Sequence, residues 1–265
     1  MEQGIVAVQR CPLMAQPSHR SEQVDELLTG WRCLILDRPR EGWVNVCSDY
    51  GYRGFAPERC LVPTGQPQGD WQVVTAAVCP VLERPQVRSP MLLELVRGAL
   101  VQAEGARGNW TCVNLPDGRQ GYVCPAALGQ RGKNLGQTDF RAQVTSWALT
   151  YLGAPYRWGG KSPLGIDCSG LVFMSYWLSG AVIFRDASMS ERFPVRPIPR
   201  QNLDRGDLLY FPGHVALYLG GGVYIHSSAR PDCGGVVLNS LDTAHPNYRA
   251  DLAEQLLSVG SLFHL

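Results

Sequence analysis

The pattern of apolar positions divides the chain into two β-rich segments and a third segment that begins with helical spacing. In the first two segments, short runs rich in β-branched and apolar residues lie at 34–36, 43–46 and 109–113, and turn residues lie at 49–51 and 116–118. Short strands separated by turns at this spacing are typical of small all-β barrels. The chain is therefore predicted to begin with β-rich domains.

These two segments also repeat each other. Trp43 returns as Trp110 and Gly54 returns as Gly121, each 67 residues later, and the cysteine–proline pair that begins at Cys11 returns 68 residues later. Internal similarity at a fixed offset indicates two copies of one structural module.

We place the two copies at residues 1–64 and 70–130, joined by a linker rich in glycine and proline at 63–69. Each copy has strands, a glycine followed closely by tryptophan, a glycine–aromatic pair and a short helical turn that ends in leucine. This order resembles bacterial SH3-like domains. The resemblance implies two small all-β SH3-like barrels.

Helical spacing begins near residue 138. Thr138 or Asp139 is expected to cap a helix that ends at Gly153, because apolar residues between them recur every three or four positions. Residues 168–178 are apolar nearly all round, which predicts a second, buried helix. Four strands are predicted after it, at 208–211, 214–219, 223–226 and 236–238, the middle two joined by a hairpin of three glycines.

Two helices followed by an antiparallel meander indicate an α+β domain, which we place at residues 137–265. The expected fold class is thus multidomain: two all-β barrels followed by an α+β domain.

Composition limits the classes of partner. The 265 residues carry a formal net charge of only +1, so no global basic field favours nucleic acid or anionic lipid. The longest nearly unbroken apolar stretch, 171–178, is far shorter than the roughly 18 to 20 residues that a membrane span needs. The nine cysteines are odd in number and include no CxxC pair, so most are expected to be reduced core residues. We expect no nucleic-acid partner and no membrane partner.

The first residues show no basic leader, no long apolar segment and no cleavage site. If Met1 is the native start, we expect a cytoplasmic protein; if a signal peptide has been removed, we expect a secreted one.

Cys168 is the candidate nucleophile, because it falls in the first turn of the predicted buried helix. Unpaired helix N–H groups and the helix dipole favour a thiolate at such a position, where thiol pKa values span about 3.5 to 7.5. The alternative is that Cys168 is one more small core residue like the other eight cysteines.

Two histidines can supply the partners of that thiol. His214 begins an apolar strand and His226 ends the strand paired with it, so the glycine hairpin can bring the rings side by side. A nucleophilic thiol needs a base, and the base needs a polar group that holds its tautomer. The alternatives are that each histidine merely bonds backbone at a strand end, or that both join Cys168 as zinc ligands.

The surrounding motifs resemble the NlpC family of papain-like cysteine peptidases, which cut bacterial cell-wall peptides. The resemblance covers about 138–265 and is carried by four motifs: Tyr156-x-Trp158-Gly159-Gly160, Asp167-Cys168-Ser169-Gly170, Gly206-Asp207-Leu208, and the strand from Gly213 to Gly220 that contains His214. It implies a papain-like catalytic domain that needs no cofactor and no metal.

The same resemblance implies roles for individual residues. It makes Cys168 the nucleophile, His214 the base and His226 the residue that orients the base. Tyr156 matches the tyrosine near the thiol, whose hydroxyl helps to stabilise the oxyanion with the Cys168 backbone N–H. Four further residues are implied to bind substrate, with an ordinary helix cap or a solvated turn as the alternative: Asp167, Ser169, Asp186 and Ser188.

The implied reaction is hydrolysis of the bond between γ-D-glutamate and a diamino acid in murein peptides. Two SH3-like copies before the catalytic domain resemble a subgroup in which the first copy admits only peptides with a free N-terminal L-Ala. A carboxylate and a hydroxyl would have to meet the substrate ammonium, and Glu22 and Tyr52 are the candidates, with ordinary surface residues as the alternative.

Because recycled wall fragments carry that free amine and intact wall does not, we expect a cytosolic recycling peptidase whose partner is a murein peptide. Three alternatives remain open at this stage: a secreted hydrolase whose SH3-like modules bind wall, a non-catalytic binding protein, and the related CHAP-type amidase.

Overall fold

A computed structural model describes residues 2–63, 71–132 and 135–263, and the chain divides into two compact units, Met1–Gln130 and Arg131–Leu265. The first unit holds both copies of the repeat. Residues 64–69 of the predicted linker lie outside the described residues. So do the first and last residues of the predicted first domain (1 and 64), the first residue of the second (70) and the last two residues of the third (264 and 265). In the described part of the chain, no helix combines the length and apolar character that a membrane crossing demands.

The first copy folds as a seven-stranded antiparallel sheet with the strand order β3-β2-β6-β5-β4-β1-β7. Its strands are β1 (Glu2–Val6), β2 (Arg10–Met14), β3 (Gln23–Leu28), β4 (Arg32–Arg40), β5 (Trp43–Ser48), β6 (Arg53–Pro57) and β7 (Leu61–Pro63). A 3₁₀ turn at Glu58–Cys60 lies just before Leu61, where the sequence predicted a short helical turn ending in leucine.

The second copy repeats this order strand for strand, as β10-β9-β13-β12-β11-β8-β14. Its strands are β8 (Trp71–Val74), β9 (Val78–Leu82), β10 (Met91–Val96), β11 (Leu100–Arg107), β12 (Trp110–Asn114), β13 (Gln120–Val123) and β14 (Leu128–Gly129), with a 3₁₀ turn at Pro125–Ala127. Alternate strand residues point inward and form a core that includes Val81, Leu95, Val101 and Val113.

The two copies touch each other inside the first unit. The Trp31 indole N–H donates to the Gly98 carbonyl at 2.7 Å, and the Leu100 N–H donates to the Thr29 carbonyl at 2.8 Å. Gly30 permits this approach, because a Cβ at its position would lie 2.1 Å from the Leu100 carbonyl oxygen. The repeated modules are therefore packed as one body.

In its described residues, the second unit carries three α-helices and a six-stranded antiparallel sheet with the strand order β17-β22-β18-β19-β20-β21, beside a short two-stranded ladder of β15 and β16. The elements are α1 (Gln137–Leu149), β15 (Lys161–Ser162), β16 (Gly165–Ile166), α2 (Cys168–Leu178), β17 (Arg196–Ile198), a 3₁₀ turn (Arg200–Asn202), β18 (Leu208–Phe211), β19 (His214–Gly220), β20 (Val223–Ser228), β21 (Gly235–Ser240), α3 (Ala250–Glu254) and β22 (Ser258–Ser261).

The predicted limits of the first helix are wrong at both ends. Helix α1 begins at Gln137, and its N-cap is Gly136 with no side-chain cap bond, so neither Thr138 nor Asp139 caps it. Asp139 instead lies in the first turn, where its charge suits the helix dipole. The helix ends at Leu149, and turns carry the chain on to Gly153, which has a positive φ of 79°.

The second helix and the hairpin agree with the sequence prediction. Helix α2 spans Cys168–Leu178 and is buried along its whole length. The three glycines Gly220, Gly221 and Gly222 all take positive φ values between β19 and β20, a conformation that side chains disfavour. All nine cysteines are free, and six of them are buried.

Candidate active site

Helix α2 begins with the candidate nucleophile. Asp167 is its N-cap: the carboxylate accepts the N–H of Gly170, which satisfies one of the unpaired donors of the first turn. Cys168 follows as the first helical residue and is only 4% exposed. The sulfur therefore lies in a site that is largely closed to water.

Two backbone N–H groups lie close enough to the Cys168 sulfur to lower the pKa of its thiol. One belongs to Ser169, the next residue of the helix, and the other to Val215 in β19. Val215 directly follows His214, so the second contact brings the head of helix α2 against the strand that carries the candidate base. The helix and the sheet thus bring the two predicted residues to one place.

The two candidate histidines are in direct contact. His214 Nε2 lies 2.8 Å from His226 Nδ1, and the ring planes cross at 81°. The ladder between β19 and β20 pairs Tyr218 with Tyr224, and side chains alternate between the faces of a strand. His214 and His226, each an even number of residues from these tyrosines, therefore share one face of the sheet.

Asn239 lies next to these two histidines and extends them to a row of three side chains. The sequence analysis missed it. His226 Nε2 lies 2.8 Å from Asn239 Oδ1. Asn239 pairs with Tyr224 across the β20–β21 ladder, so it occupies the same face as the two histidines. The predicted strand ended at residue 238; extending the period-2 pattern by one residue would have found it.

Burial keeps the thiol and both imidazoles uncharged. Loss of solvent raises the pKa of Cys168 to about 11, and the neighbouring Asp167 carboxylate adds to this effect. Burial lowers the pKa of His214 to about 3 and that of His226 to about 4. The expectation of a depressed thiol pKa is therefore wrong for the resting site, because desolvation outweighs the helix N-terminus.

A buried ion pair fixes the loop in front of the nucleophile. Arg185 is 2% exposed, and its Nη1 and Nη2 each lie 3.0 Å from one oxygen of Asp167. The same carboxylate accepts the N–H of Gly159 at 2.8 Å, and Arg185 donates to the Gly160 carbonyl at 3.3 Å. Asp167 therefore connects the first turn of helix α2, Arg185 and the loop that contains Gly159 and Gly160, which we call the glycine loop.

Ser169 belongs to the same network. Its hydroxyl donates to Asp167 at 3.2 Å and accepts from Arg185 at 2.8 Å, and its residue is 8% exposed. Arg185 directly precedes Asp186, one of the predicted substrate residues, but its pairing with Asp167 was not foreseen. Asp186 and Ser188 are exposed in a turn closed by a 2.8 Å backbone bond from the Ser188 N–H to the Asp186 carbonyl. Substrate binding by these four predicted residues stays a prediction.

Close backbone approach explains a glycine of the motif after the cysteine. A Cβ on Gly170 would lie 2.2 Å from the Gly160 carbonyl oxygen. Only a glycine allows the first turn of helix α2 to approach the glycine loop this closely.

Tyr156 lies near the sulfur. Its pKa is raised to about 12, mainly by burial and also by the neighbouring Cys168 and Asp167, so the hydroxyl keeps its proton at neutral pH and can donate a hydrogen bond. The Tyr156 backbone is held by a 2.8 Å bond to the Gly234 carbonyl. Trp158, two residues later, is 56% exposed.

The two residues predicted to bind the substrate ammonium belong to the other unit. Glu22 is exposed, and Tyr52 is half-buried with its ring 6.4 Å from the ring of Tyr50. The Tyr50 hydroxyl donates to the Asp25 carboxylate, and both of these residues are buried. A carboxylate and tyrosyl hydroxyls are thus present in the first copy.

The donor set does not suit a metal. Among residues 2–63, 71–132 and 135–263, no group of three or more His, Cys, Asp or Glu side chains is arranged to hold an ion. The facing nitrogens of His214 and His226 bond each other and do not point to a common centre. The arrangement suits proton transfer from a thiol to an imidazole.

A buried cysteine at a helix head, a histidine on the adjoining strand and a second polar residue behind it define a papain-like cysteine peptidase. Comparison with known proteins narrows this class. The family model described as "NlpC/P60 family" matches residues 153–253. Dipeptidyl-peptidase 6 of Lysinibacillus sphaericus is 39% identical over 98% of this chain and 99% of its own. The chain belongs to the NlpC/P60 family.

Two further relatives add detail. Gamma-D-glutamyl-L-lysine dipeptidyl-peptidase of Bacillus subtilis (strain 168) is 39% identical over 29% of this chain and 28% of its own. The crystal structure of an NlpC/P60 family protein from Bacillus cereus ATCC 10987 covers 97% of this chain and 98% of its own with a TM-score of 0.79. At 19% identity, that structure shows a shared fold.

Proposed function

We propose that this cysteine peptidase hydrolyses the bond between γ-D-glutamate and the diamino acid in murein peptides that carry a free N-terminal L-Ala. The observation that carries the proposal is the match to dipeptidyl-peptidase 6, which extends over 98% of the chain and so includes the β-rich first unit. An enzyme that releases dipeptides must recognise a free amine two residues from the bond that it cuts.

The geometry supports a thiol mechanism. The Cys168 sulfur attacks the γ-carbonyl carbon while its proton passes to His214, and the C–N bond then breaks as His214 returns that proton to the leaving amine. Water hydrolyses the thioester and regenerates the thiol. The Cys168 backbone N–H and the Tyr156 hydroxyl are the donors that we assign to the oxyanion.

Recognition of the amine is assigned to the first unit. The carboxylate of Glu22 and the hydroxyl of Tyr52 are proposed to bind the L-Ala ammonium, since charge-assisted hydrogen bonds in a partly dry pocket discriminate strongly against a blocked amine. We further propose that the enzyme is cytoplasmic and recycles wall fragments, because such fragments carry the free amine.

The test uses the full chain and three substrates: L-Ala-γ-D-Glu-L-Lys, the same peptide with an acetylated amine, and intact sacculi, with products identified by mass. We expect release of L-Ala-γ-D-Glu from the first substrate alone. Parallel assays of Glu22→Gln and Tyr52→Phe should show a raised KM for the free peptide, with Asn45→Ala as a control in the same copy. Cleavage of sacculi without cleavage of the free peptide would instead support a secreted wall hydrolase.

A further inference from the structure

The side chains of His214, His226 and Asn239 form a hydrogen-bonded row in which each donor and acceptor can be assigned. The assignment begins at the backbone carbonyl of Asn247, which can only accept hydrogen bonds. Asn239 Nδ2 donates to that oxygen at 3.2 Å, and the backbone N–H of Ser240 donates to it at 2.9 Å. The amide nitrogen of Asn239 must therefore face Asn247, which turns the amide oxygen toward His226.

That orientation decides which ring nitrogen of His226 carries the proton. Asn239 Oδ1 is an acceptor without a hydrogen, so His226 Nε2, 2.8 Å away, must be the donor. A neutral imidazole has one N–H, and His226 Nδ1 is then an acceptor. His214 Nε2, 2.8 Å from that atom, must donate to it.

The tautomer of His214 decides whether its Nδ1 can act as a base. With its Nε2 protonated, neutral His214 presents an unprotonated Nδ1, the form that can take a proton from Cys168. We infer that Asn239 is a positioning residue whose amide sets the tautomers of His226 and His214, and so makes His214 a base toward Cys168. The inference rests on the proposed thiol mechanism and adds a residue to it.

Burial favours a neutral His226 ring, and the two charges near the ring act in opposite directions. Burial lowers its pKa, the Arg249 cation lowers it further, and the Asn239 hydrogen bond and the Asp251 carboxylate raise it. His214 faces it from β19, and the ring of Tyr224 lies 5.3 Å away. A neutral amide at position 239 can order the tautomer without adding a charge.

A protonated His226 would reverse the row. Both of its nitrogens would then donate, His214 Nε2 would have to accept, and the proton of a neutral His214 would lie on Nδ1, which could then not accept the thiol proton. The geometry therefore explains why an amide serves better here than a carboxylate, which would stabilise the charged ring.

The test compares Asn239→Ala, Asn239→Asp and the control Asn202→Ala, an exposed asparagine in the same unit. The first readout is the rate of Cys168 alkylation by iodoacetamide, measured with the other cysteines counted by mass. This readout needs no murein peptide. The second is kcat and KM on L-Ala-γ-D-Glu-L-Lys.

Asn239→Ala should lower both the alkylation rate and kcat by about tenfold, less than the roughly 10²-fold or more that a positioned base itself contributes, with little change in KM. Asn239→Asp should keep activity at pH 8 but move the acid limb of the alkylation profile up by about one pH unit, because a carboxylate raises the pKa of His226. Asn202→Ala should match the unsubstituted protein.

¹⁵N spectra of the unsubstituted protein with labelled histidine keep the inference testable even if a variant fails to fold. They should show protonated Nε2 and unprotonated Nδ1 at both His214 and His226. Protonated Nδ1 at His226, or unchanged alkylation in folded Asn239→Ala, would overturn the inference. If the tripeptide is not cleaved while these results hold, the proposed substrate fails and the role of Asn239 stands.

Discussion

Two polar networks surround the nucleophile, and they differ in charge. The network of Asp167 and Arg185 is a buried ion pair, and its carboxylate accepts hydrogen bonds from the first turn of helix α2, from Arg185 and from the Gly159 N–H. The network of His214, His226 and Asn239 is neutral, and hydrogen bonds connect its members in a row.

The difference follows from what each network must do. A buried ion pair with satisfied hydrogen bonds resists movement, because removing either partner leaves an uncompensated charge. It therefore suits the residues that fix the position of the sulfur. A neutral row can change its protonation by one proton with little loss of structure, which suits the residues that remove the thiol proton.

Removal of the reacting groups should give the largest effect. Cys168→Ala loses the covalent step, and we expect turnover of the tripeptide to fall by at least about 10⁴-fold, with substrate affinity largely retained. His214→Ala should be comparably severe. Turnover is followed by mass and affinity by calorimetry. Retained turnover in Cys168→Ala, with an unchanged circular dichroism spectrum, would remove this residue from the mechanism.

Breaking the ion pair should act on stability as well as on rate. Arg185→Met leaves Asp167 charged and buried, and we expect the catalytic unit to lose about 3 to 5 kcal/mol of unfolding free energy. Calorimetry of the full chain should show this loss as a lower Tm of the unfolding transition of the catalytic unit. The matched control is Arg230→Met, which removes an arginine that is half exposed in its ion pair with Asp232 and should have little effect.

The double variant Asp167→Asn with Arg185→Met sharpens this test. Because it removes the uncompensated charge, it should be more stable than Arg185→Met alone. Equal loss in the single and double variants would mean that the arginine acts through packing and not through charge.

The two networks also differ in how far the sequence predicts them. Helix α2 was predicted with its observed limits, because its apolar run is continuous and begins directly after a capping aspartate. The contact of His214 with His226 follows from a glycine hairpin and the period of a strand. Local patterns were sufficient for both, since the partners lie close together in the sequence.

Other features depend on contacts that no local pattern records. Arg185 meets Asp167 across 18 residues of irregular chain, and nothing in a charged loop residue predicts that it will be buried. Asn239 lay one residue beyond the predicted strand. The pKa of Cys168 depends on burial by the whole domain, which the sequence at the helix head does not indicate.

Substitution of the middle residue of the neutral row should have an intermediate effect. His226→Ala removes the partner that holds the tautomer of His214 but leaves the base itself in place. We expect a loss of kcat about one to two orders of magnitude smaller than that of His214→Ala, as for orienting residues elsewhere. Steady-state kinetics on the tripeptide measure both variants. Equal losses would mean that His226 moves the proton itself.

The smallest effect concerns pH. Burial lowers the pKa of His214 to about 3, so the base stays unprotonated as the pH falls well below 6.5, the ordinary value for histidine. The raised pKa of Cys168, about 11, keeps its proton in place until attack. We therefore expect kcat/KM to change by less than about twofold between pH 8 and pH 6, with the acid limb at lower pH.

Alkylation of Cys168 should also be slower in D₂O than in H₂O, because the thiol proton moves to His214 as the sulfur reacts. A resting thiolate paired with an imidazolium has already moved that proton and would show no such slowing. An acid limb near pH 6.5 would show that water reaches His214. Hydrogen bonds, and not burial, would then be what keeps His214, His226 and Asn239 in their proposed protonation states.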